Sequence, residues 1–222
     1  MHEELAAVLA LMPDESREEA AGRAFWVGHL HGQEVVAVLS RIGKVAAATT
    51  AAVLAERFGV GGIVFTGVAG GLAQGVAVGD VVVADAFLQH DMDASPLFPR
   101  WEVPLTGTSR FATHAALSER LAQAAARALP GTPVHRGLVV SGDRFVATAA
   151  ESAGLRQALP DALAVEMEGA AIAQVCHDYG LPFAAVRTIS DRADDAAHVD
   201  FARFVREVAS RQSAAIIEAL LA

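Results

Sequence analysis

The sequence is short of cysteine, basic residues and long apolar runs, and each shortage excludes a class of protein. Cys176 is the single cysteine, so no disulfide can form within the chain. Lys and Arg number 17 against 26 Asp and Glu, and no basic stripe is present, so we expect no nucleic-acid partner. No apolar run is long enough to span a membrane, and the first residues are acidic rather than basic. These features predict a cytoplasmic protein without a membrane partner.

The length and composition suit an α/β protein with a large core. The 222 residues fit one fairly large domain or two small ones. Hydrophobic residues make up 53% of the chain, and many of them are alanines, which favours closely packed helices and further buried surface between subunits. No linker, repeat or low-complexity tract divides the sequence. We therefore predict a single domain over residues 1–222.

Apolar runs and helical periods alternate along the chain and predict a mixed sheet. Residues 5–11 form a short apolar run that we interpret as a first strand, with Pro13 at the start of a helix and Glu15 at the carboxyl end of the strand. Residues 25–30 and 34–39 flank a turn and predict a hairpin. The remaining predicted strands are 62–67, 81–88, 134–141, 163–165 and 182–189, and the predicted helices are 42–58, 117–129, one that Thr148 caps, and 199–222.

A glycine-rich stretch, residues 67–75, follows the predicted strand 62–67. It does not match the dinucleotide fingerprint, because it leads through Val78-Gly79-Asp80 into another strand instead of opening a helix. We interpret it as a loop whose glycines allow close approach of the backbone to a ligand; a simple tight turn is the alternative. His90-Asp91-Met92-Asp93 lacks a second group of metal ligands, so we predict a polar strand end there and no metal site.

Two carboxylates, Glu166 and Glu168, stand where an apolar strand gives way to an alanine-rich helix. They could simply favour the first turn of that helix. In open α/β sheets, however, ligands lie beyond the carboxyl ends of strands. Glu15, the glycine-rich stretch, Phe145, Glu168 and Asp191 all follow predicted strands. We therefore expect them to form one crevice.

Five segments, residues 66–71, 78–80, 140–143, 165–168 and 186–191, resemble in order the motifs of the 5′-methylthioadenosine/S-adenosylhomocysteine nucleosidases, a family of the purine nucleoside phosphorylase superfamily. This resemblance implies a three-layer α/β/α fold with a twisted mixed central sheet flanked by helices. It implies hydrolysis of the N-glycosidic bond of 5′-thio-substituted adenosines to adenine and a thioribose, with a nucleoside as the small-molecule partner. It also implies a homodimer and no metal or organic cofactor.

The resemblance assigns acid–base roles that the chemistry of the bond requires. The leaving base needs a proton and water must be activated on the opposite face of the sugar. Asp191 would protonate N7 of adenine, helped by Ser190, which requires burial or hydrogen bonds to favour the acid form. Glu15 would polarise the water. We choose Glu15 over Glu4 because the run at residues 5–11 precedes it.

Substrate-binding roles follow from the same resemblance. Glu168 would accept hydrogen bonds from the ribose hydroxyls, and Met167 would pack beneath the sugar. Phe145 would stack on adenine, while the backbone of Val146 would read the edge of the base. Arg187 would order the water and the surrounding acids.

Departures from the family pattern leave two alternatives. Val68 stands where the nucleosidases carry serine, and Arg41 stands where a glycine is usual. Residues 91–113 also differ from the family pattern, and because this region contributes to the pocket for the 5′ substituent in the family, the preferred 5′ group stays open. A nucleoside phosphorylase would need several arginines and a hydroxyl for phosphate, which Arg41 and Arg187 could partly supply, but Val68 removes a hydroxyl and Glu15 would repel the anion. A non-catalytic nucleoside-binding protein would not need Glu15, Glu168 and Asp191 together.

Overall fold

A six-stranded mixed sheet forms the centre of the protein. The computed structural model describes residues 2–195, 197, 204, 208 and 210–222. The strands of the central sheet are β4 (Ile63–Gly71), β5 (Val81–Gln89), β6 (Arg110–Ala112), β7 (Val134–Ser141), β8 (Ala162–Glu166) and β9 (Phe183–Asp191). Their order is β6-β5-β7-β8-β4-β9, and β9 also pairs with β5, so five of the strands close into a ring. The pairs β8/β4, β5/β9 and β5/β6 are antiparallel and the others are parallel.

Helices cover both faces of this sheet, and the alternation of side chains along β5 shows how. The helices are α1 (His2–Leu9), α2 (Lys44–Glu56), α3 (Ala115–Ala128), α4 (Ala149–Ala158), α5 (Gly169–Tyr179) and α6 (Ser210–Leu221). Val82 and Ala84 belong to the core that contains α2 and α5, whereas Val81 and Val83 belong to the core that contains α3 and α6. Because successive residues of a strand face opposite sides, an uninterrupted apolar run predicts a strand buried on both faces. The predicted α/β fold with a mixed central sheet and flanking helices is confirmed.

The predicted hairpin forms, but it belongs to a second sheet. Strands β1 (Ser16–Ala20), β2 (Arg23–Leu30) and β3 (Gln33–Val38) make a separate antiparallel sheet in the order β1-β2-β3. The mixed character of the central sheet therefore does not come from the hairpin. Strand β1 was not predicted, because its largely exposed residues Ser-Arg-Glu-Glu-Ala carry no apolar alternation.

The prediction of a first strand at residues 5–11 is wrong, since most of this run lies in helix α1. Glu4, Val8 and Met12 are buried, and their spacing of four residues is a helical period rather than that of a strand. The alanines of this run also favour a helix. Pro13 lies in a turn that leads to β1 instead of opening a helix.

The glycine-rich stretch was predicted as a loop from residue 67, but β4 continues to Gly71. The glycines make room for side chains of the neighbouring strand β9. A Cβ at Gly67 would lie 2.8 Å from Nη1 of Arg187, and one at Gly70 would lie 2.9 Å from Oδ1 of Asp191. Both distances are shorter than a van der Waals contact, so these two positions need glycine for packing.

The predicted C-terminal helix, residues 199–222, is described in part. Its last turns form α6, whereas residues 198–203, 205–207 and 209 lie outside the described residues. None of the helices in the described part of the chain has the length and apolar character needed to cross a membrane.

Gly169, the first residue of α5, provides a test of this packing. A Cβ at Gly169 would overlap the ring of Phe87, which is fully buried in the core between α5 and the sheet. We expect Gly169→Ala to lower the free energy of unfolding by about 1–3 kcal/mol, as is typical of overpacking. Urea denaturation followed by circular dichroism measures this change.

The matched control for this prediction is Gly154→Ala. Gly154 lies inside α4, and a Cβ at this position would meet no other atom within 4 Å. Alanine there should raise the stability by about 0.5–1 kcal/mol through helix propensity. Equal stabilities of the two variants would contradict the packing argument.

Candidate active site

A single large cavity collects most of the predicted site residues. Its volume is about 1360 Å³, and its lining includes β4 and the carboxyl-terminal ends of β8 and β9. The structure brings seven of the eight predicted residues to this cavity: Val68, Phe145, Val146, Met167, Glu168, Arg187 and Asp191. The cavity also extends into an apolar part between β3, α2 and β4.

At the base of the site, Glu166 and Arg187 form a buried ion pair. Nη2 of Arg187 donates to Oε2 of Glu166 at 2.6 Å, and the side chains are only 1% and 3% exposed. The Ser141 hydroxyl and the backbone amide of Gly169 also donate to Glu166. These donors offset part of the cost of burying the carboxylate. Glu166 also lines the cavity, but these protein donors engage its carboxylate oxygens.

Arg187 presents its remaining face to β4. Its guanidinium carbon lies 3.7 Å from the centre of the Phe65 ring, a cation–π contact. Among the described residues, its Nε and Nη1 have no hydrogen-bond partner. Because Nη1 lies against the backbone of Gly67 at the cavity, it can donate to an oxygen bound there.

Glu168 sits between Glu166 and the start of α2. The backbone amide of Gly43 donates to its Oε1 at 2.8 Å. Burial, followed by the negative charge of Glu166, raises the pKa of Glu168 to about 7, although the Gly43 amide and Arg187 act in the opposite direction. A carboxyl group with such a pKa can exchange a proton at neutral pH.

Asp191 ends β9 and is 2% exposed. The Ser190 hydroxyl donates to its Oδ2 at 2.7 Å, and the amide of Ala193 donates to its Oδ1 at 2.8 Å. Ser190 thus contacts Asp191 directly, and its hydroxyl holds the carboxyl group in place. The Ala193 bond corresponds to the alternative interpretation of Asp191 as a capping acid, but a capping acid need not line a cavity.

A ring of hydrogen bonds holds the segment that carries Phe145. Nζ of Lys44 lies 2.6 Å from Oδ1 of Asp91, the amide of Asp143 donates to Oδ2 of Asp91 at 2.9 Å, and the amide of Lys44 donates to Oδ1 of Asp143 at 2.7 Å. Phe145 is 42% exposed and Val146 is buried. An exposed aromatic ring on a held segment beside a cavity is suited to stacking on a flat ligand.

Met167 and Val68 complete the lining on the sheet side. Met167 is half-buried between the two glutamates, and Val68 lies on β4 in register with Thr188 of β9. Val68 offers no hydroxyl group to a ligand.

Glu15 is the predicted site residue that the structure does not bring to the cavity. It precedes β1 and lies against Gly28 of β2, and the predicted strand that favoured it is α1. Glu4 lines the cavity instead, is 6% exposed, and accepts a 3.0 Å hydrogen bond from the Ser213 hydroxyl. The sequence feature that could have indicated a buried Glu4 is its helical spacing of four residues from Val8 and of eight from Met12.

Arg41 also lines the cavity, and its guanidinium donates to the carbonyl oxygen of Gly22. Sequence reasoning missed three further contributors, namely Gly43, Ser141 and Ser213. Gly43 and Ser141 act through glutamates that only the folded chain brings near them.

Comparisons with known proteins show the family and the fold of the chain. A family model described as the phosphorylase superfamily matches residues 1–222. The 5′-methylthioadenosine/S-adenosylhomocysteine nucleosidase of Actinobacillus succinogenes is 36% identical over 225 residues, which cover 100% of this chain and 95% of the relative. That of Oceanobacillus iheyensis is 37% identical over 220 residues, covering 98% and 93%. The crystal structure of the Neisseria meningitidis nucleosidase in complex with methylthio-immucillin-A superposes with a TM-score of 0.94 at 37% identity, covering 99% of this chain and 94% of that one.

The raised pKa of Glu168 predicts how stability depends on pH. The folded state keeps this proton up to about pH 7, whereas an unfolded glutamate releases it near 4.5. The folded state therefore binds more protons in this window, and its stability falls as the pH rises through it. Glu168→Gln removes this loss. Between pH 5 and pH 7.5, the free energy of unfolding of the variant should rise by up to about 3 kcal/mol relative to that of the wild type.

Urea denaturation of both proteins at the two pH values measures this difference. Glu102→Gln, outside the cavity, is the control and should follow the wild type. If the stability difference between Glu168→Gln and the wild type did not change with pH, Glu168 would not hold a proton in the folded state.

Proposed function

The chain belongs to the phosphorylase superfamily, and on this premise we propose that it hydrolyses the N-glycosidic bond of 5′-thio-substituted adenosines. The substrates are 5′-methylthioadenosine and S-adenosylhomocysteine, and the products are adenine and the corresponding thioribose. The observation that carries this proposal is that the carboxyl groups of Glu4, Glu168 and Asp191 are among those that line one cavity, together with the exposed ring of Phe145. The nucleosidase relatives match the chain over almost its whole length.

Asp191 is the general acid of the proposed mechanism. As the bond to adenine breaks, electrons move onto the base, and a proton delivered to N7 makes adenine a neutral leaving group. Asp191 is shielded from solvent, and the Ser190 hydroxyl fixes the direction of its carboxyl group. Gly70 leaves room for this carboxyl group beside β4.

Glu4 takes the role that the sequence assigned to Glu15. The ribose carbon becomes electron-poor as the base leaves, and a water molecule polarised by a carboxylate attacks it from the opposite face. Glu4 is buried, lines the cavity and is held by Ser213. Nη1 of Arg187 is the donor that orients the water.

The other residues bind and orient the nucleoside. Glu168, whose carboxyl group is held by the Gly43 amide, accepts hydrogen bonds from the ribose hydroxyls. Met167 packs under the sugar. Phe145 stacks on adenine, and the backbone of Val146 contacts the edge of the base. Held in this way, the substrate reacts as if the step were intramolecular, which lowers the barrier.

Hydrolysis is favoured over phosphorolysis because Arg41, one of the two candidate arginines, already binds the carbonyl of Gly22. Arg187 pairs with Glu166 through Nη2 and leaves only Nη1 for a ligand beside Gly67. Val68 offers no hydroxyl, and Glu4 would repel a phosphate in the same cavity. A purely nucleoside-binding protein would gain nothing from three buried or half-buried carboxylates, because each one costs desolvation energy.

We also propose a cytoplasmic homodimer. Phe98 and Trp101 of the segment 91–113 are half-buried. Leu97 and Leu105 of the same segment are 84% and 91% exposed, and Val45 is 78% exposed. Apolar side chains with this exposure are suited to contact with a second subunit. The single, buried Cys176 is consistent with the reducing conditions of the cytoplasm.

Adenine release from 5′-methylthioadenosine, measured in phosphate-free buffer and again with added phosphate, tests the reaction class. We expect release at the same rate in both buffers, because water is the nucleophile. Release only with phosphate would instead identify a phosphorylase. No release of adenine from 5′-methylthioadenosine or S-adenosylhomocysteine in either buffer would contradict the proposal.

Three substitutions test the proposed acid and base. Asp191→Asn and Glu4→Gln should each lower kcat by about 100-fold or more, since general acid–base groups contribute roughly 10²–10⁴-fold. Adenine binding, measured as product inhibition, should stay close to that of the wild type. Glu15→Gln is the matched control for Glu4→Gln and should keep full activity. A loss of activity in Glu15→Gln with an active Glu4→Gln would reverse the assignment.

A further inference from the structure

Two hydroxyl groups link Glu4 to the central sheet. Oγ1 of Thr66 on β4 lies 2.9 Å from Oγ of Ser213 on α6, and Oγ of Ser213 lies 3.0 Å from Oε1 of Glu4 on α1. Ser213 is 1% exposed and Glu4 is 6% exposed. The three residues come from parts of the chain that are far apart in sequence, so the tertiary fold alone brings them together.

The chemistry of these groups fixes the direction of the hydrogen bonds. An ionised carboxylate can only accept, so the single proton of the Ser213 hydroxyl points to Glu4. The Ser213 oxygen then accepts the proton of the Thr66 hydroxyl. The series of hydrogen bonds thus runs from Thr66 through Ser213 to Glu4, and each bond polarises the next.

Packing alone does not explain these hydroxyls. Ser213 shares the buried side of α6 with Ile216, Ile217 and Leu220. Alanine would fill this position in a helix with a better propensity and without burying a polar group. Thr66 adjoins Gly67, against which Arg187 packs. The two hydrogen bonds therefore connect Glu4 to β4, the strand that also brings Val68 and Gly70 to the cavity.

We propose that Ser213 and Thr66 are positioning residues that hold the carboxylate of Glu4 toward the attacking water. The inference rests on the proposed hydrolysis, because it explains how Glu4, the proposed general base, is oriented. Ser213 acts directly on Glu4, and Thr66 acts through Ser213. Neither residue contacts the adenine end of the site, which Phe145 and Asp191 form.

The test separates catalysis from binding in variants that lose one hydroxyl. Ser213→Ala should lower kcat by about 10- to 100-fold, because small misplacements of a reacting group cost up to about 100-fold. Thr66→Val, which keeps the shape of threonine, should lower kcat by about 3- to 10-fold, while Thr66→Ser, which keeps the hydroxyl, should restore most of it. The inhibition constant of adenine should change less than about twofold in all three.

Two controls make the result specific. Thr49→Val removes a hydroxyl that binds only the carbonyl of Val45 within α2, and it should keep the wild-type kcat. The double variant Thr66→Val/Ser213→Ala should be no slower than Ser213→Ala, because Thr66 has no path to Glu4 once Ser213 lacks its hydroxyl.

Several outcomes would overturn the inference. Wild-type kcat in Ser213→Ala and Thr66→Val would overturn it and leave the proposed hydrolysis standing. Equal losses of kcat and adenine affinity would indicate general disorder of the site and would also overturn it. If Ser213→Ala fails to fold, the two Thr66 variants test the inference. A loss of kcat in Thr66→Val that Thr66→Ser restores would support it, and a wild-type kcat in Thr66→Val would overturn it. An inactive wild type would overturn the proposed function together with this inference.

Discussion

The ion pair between Glu166 and Arg187 is the interaction on which the rest of the site depends. It joins the end of β8 to the middle of β9, and β4 lies between these two strands in the sheet. The guanidinium can cross β4 only because position 67 is glycine. Two buried charges are costly unless their other hydrogen-bonding positions are satisfied. Ser141 and the amide at the start of α5 supply these bonds on the carboxylate side, and the face of Phe65 covers the guanidinium.

This pair also sets the properties of its neighbours. Burial, followed by the negative charge of Glu166, raises the pKa of Glu168. The opposite end of Arg187 reaches the cavity, where it can orient a polar molecule. One buried pair thus provides both a carboxyl group that titrates near neutral pH and a fixed donor.

The sequence predicted the parts of the fold that depend on local patterns. The apolar runs predicted the strands β5, β7 and β9, and the polar residues near the ends of β8 and β9 made Glu168 and Asp191 candidates, which the structure places at the cavity. It did not predict β1, whose polar residues form a strand only because β2 pairs with them. It interpreted residues 67–71 as a loop because the reason for the glycines lies in Arg187 and Asp191, more than 100 residues later. Such long-range packing has no signature in the local sequence.

The error about Glu15 has a different origin, and it shows how the site is assembled. The rule that functional residues follow strands applies to groups that the sheet carries, such as Glu168 and Asp191. Glu4 and Ser213 come instead from α1 and α6, two helices that pack against each other at the edge of the cavity. In the proposed mechanism, the sheet supplies groups that face the ribose and the base, and the helix pair supplies the carboxylate assigned to the water. A carboxylate carried by a helix can reach the sheet only through side chains, so the hydroxyls of Ser213 and Thr66 are the contacts that join the two halves of the site.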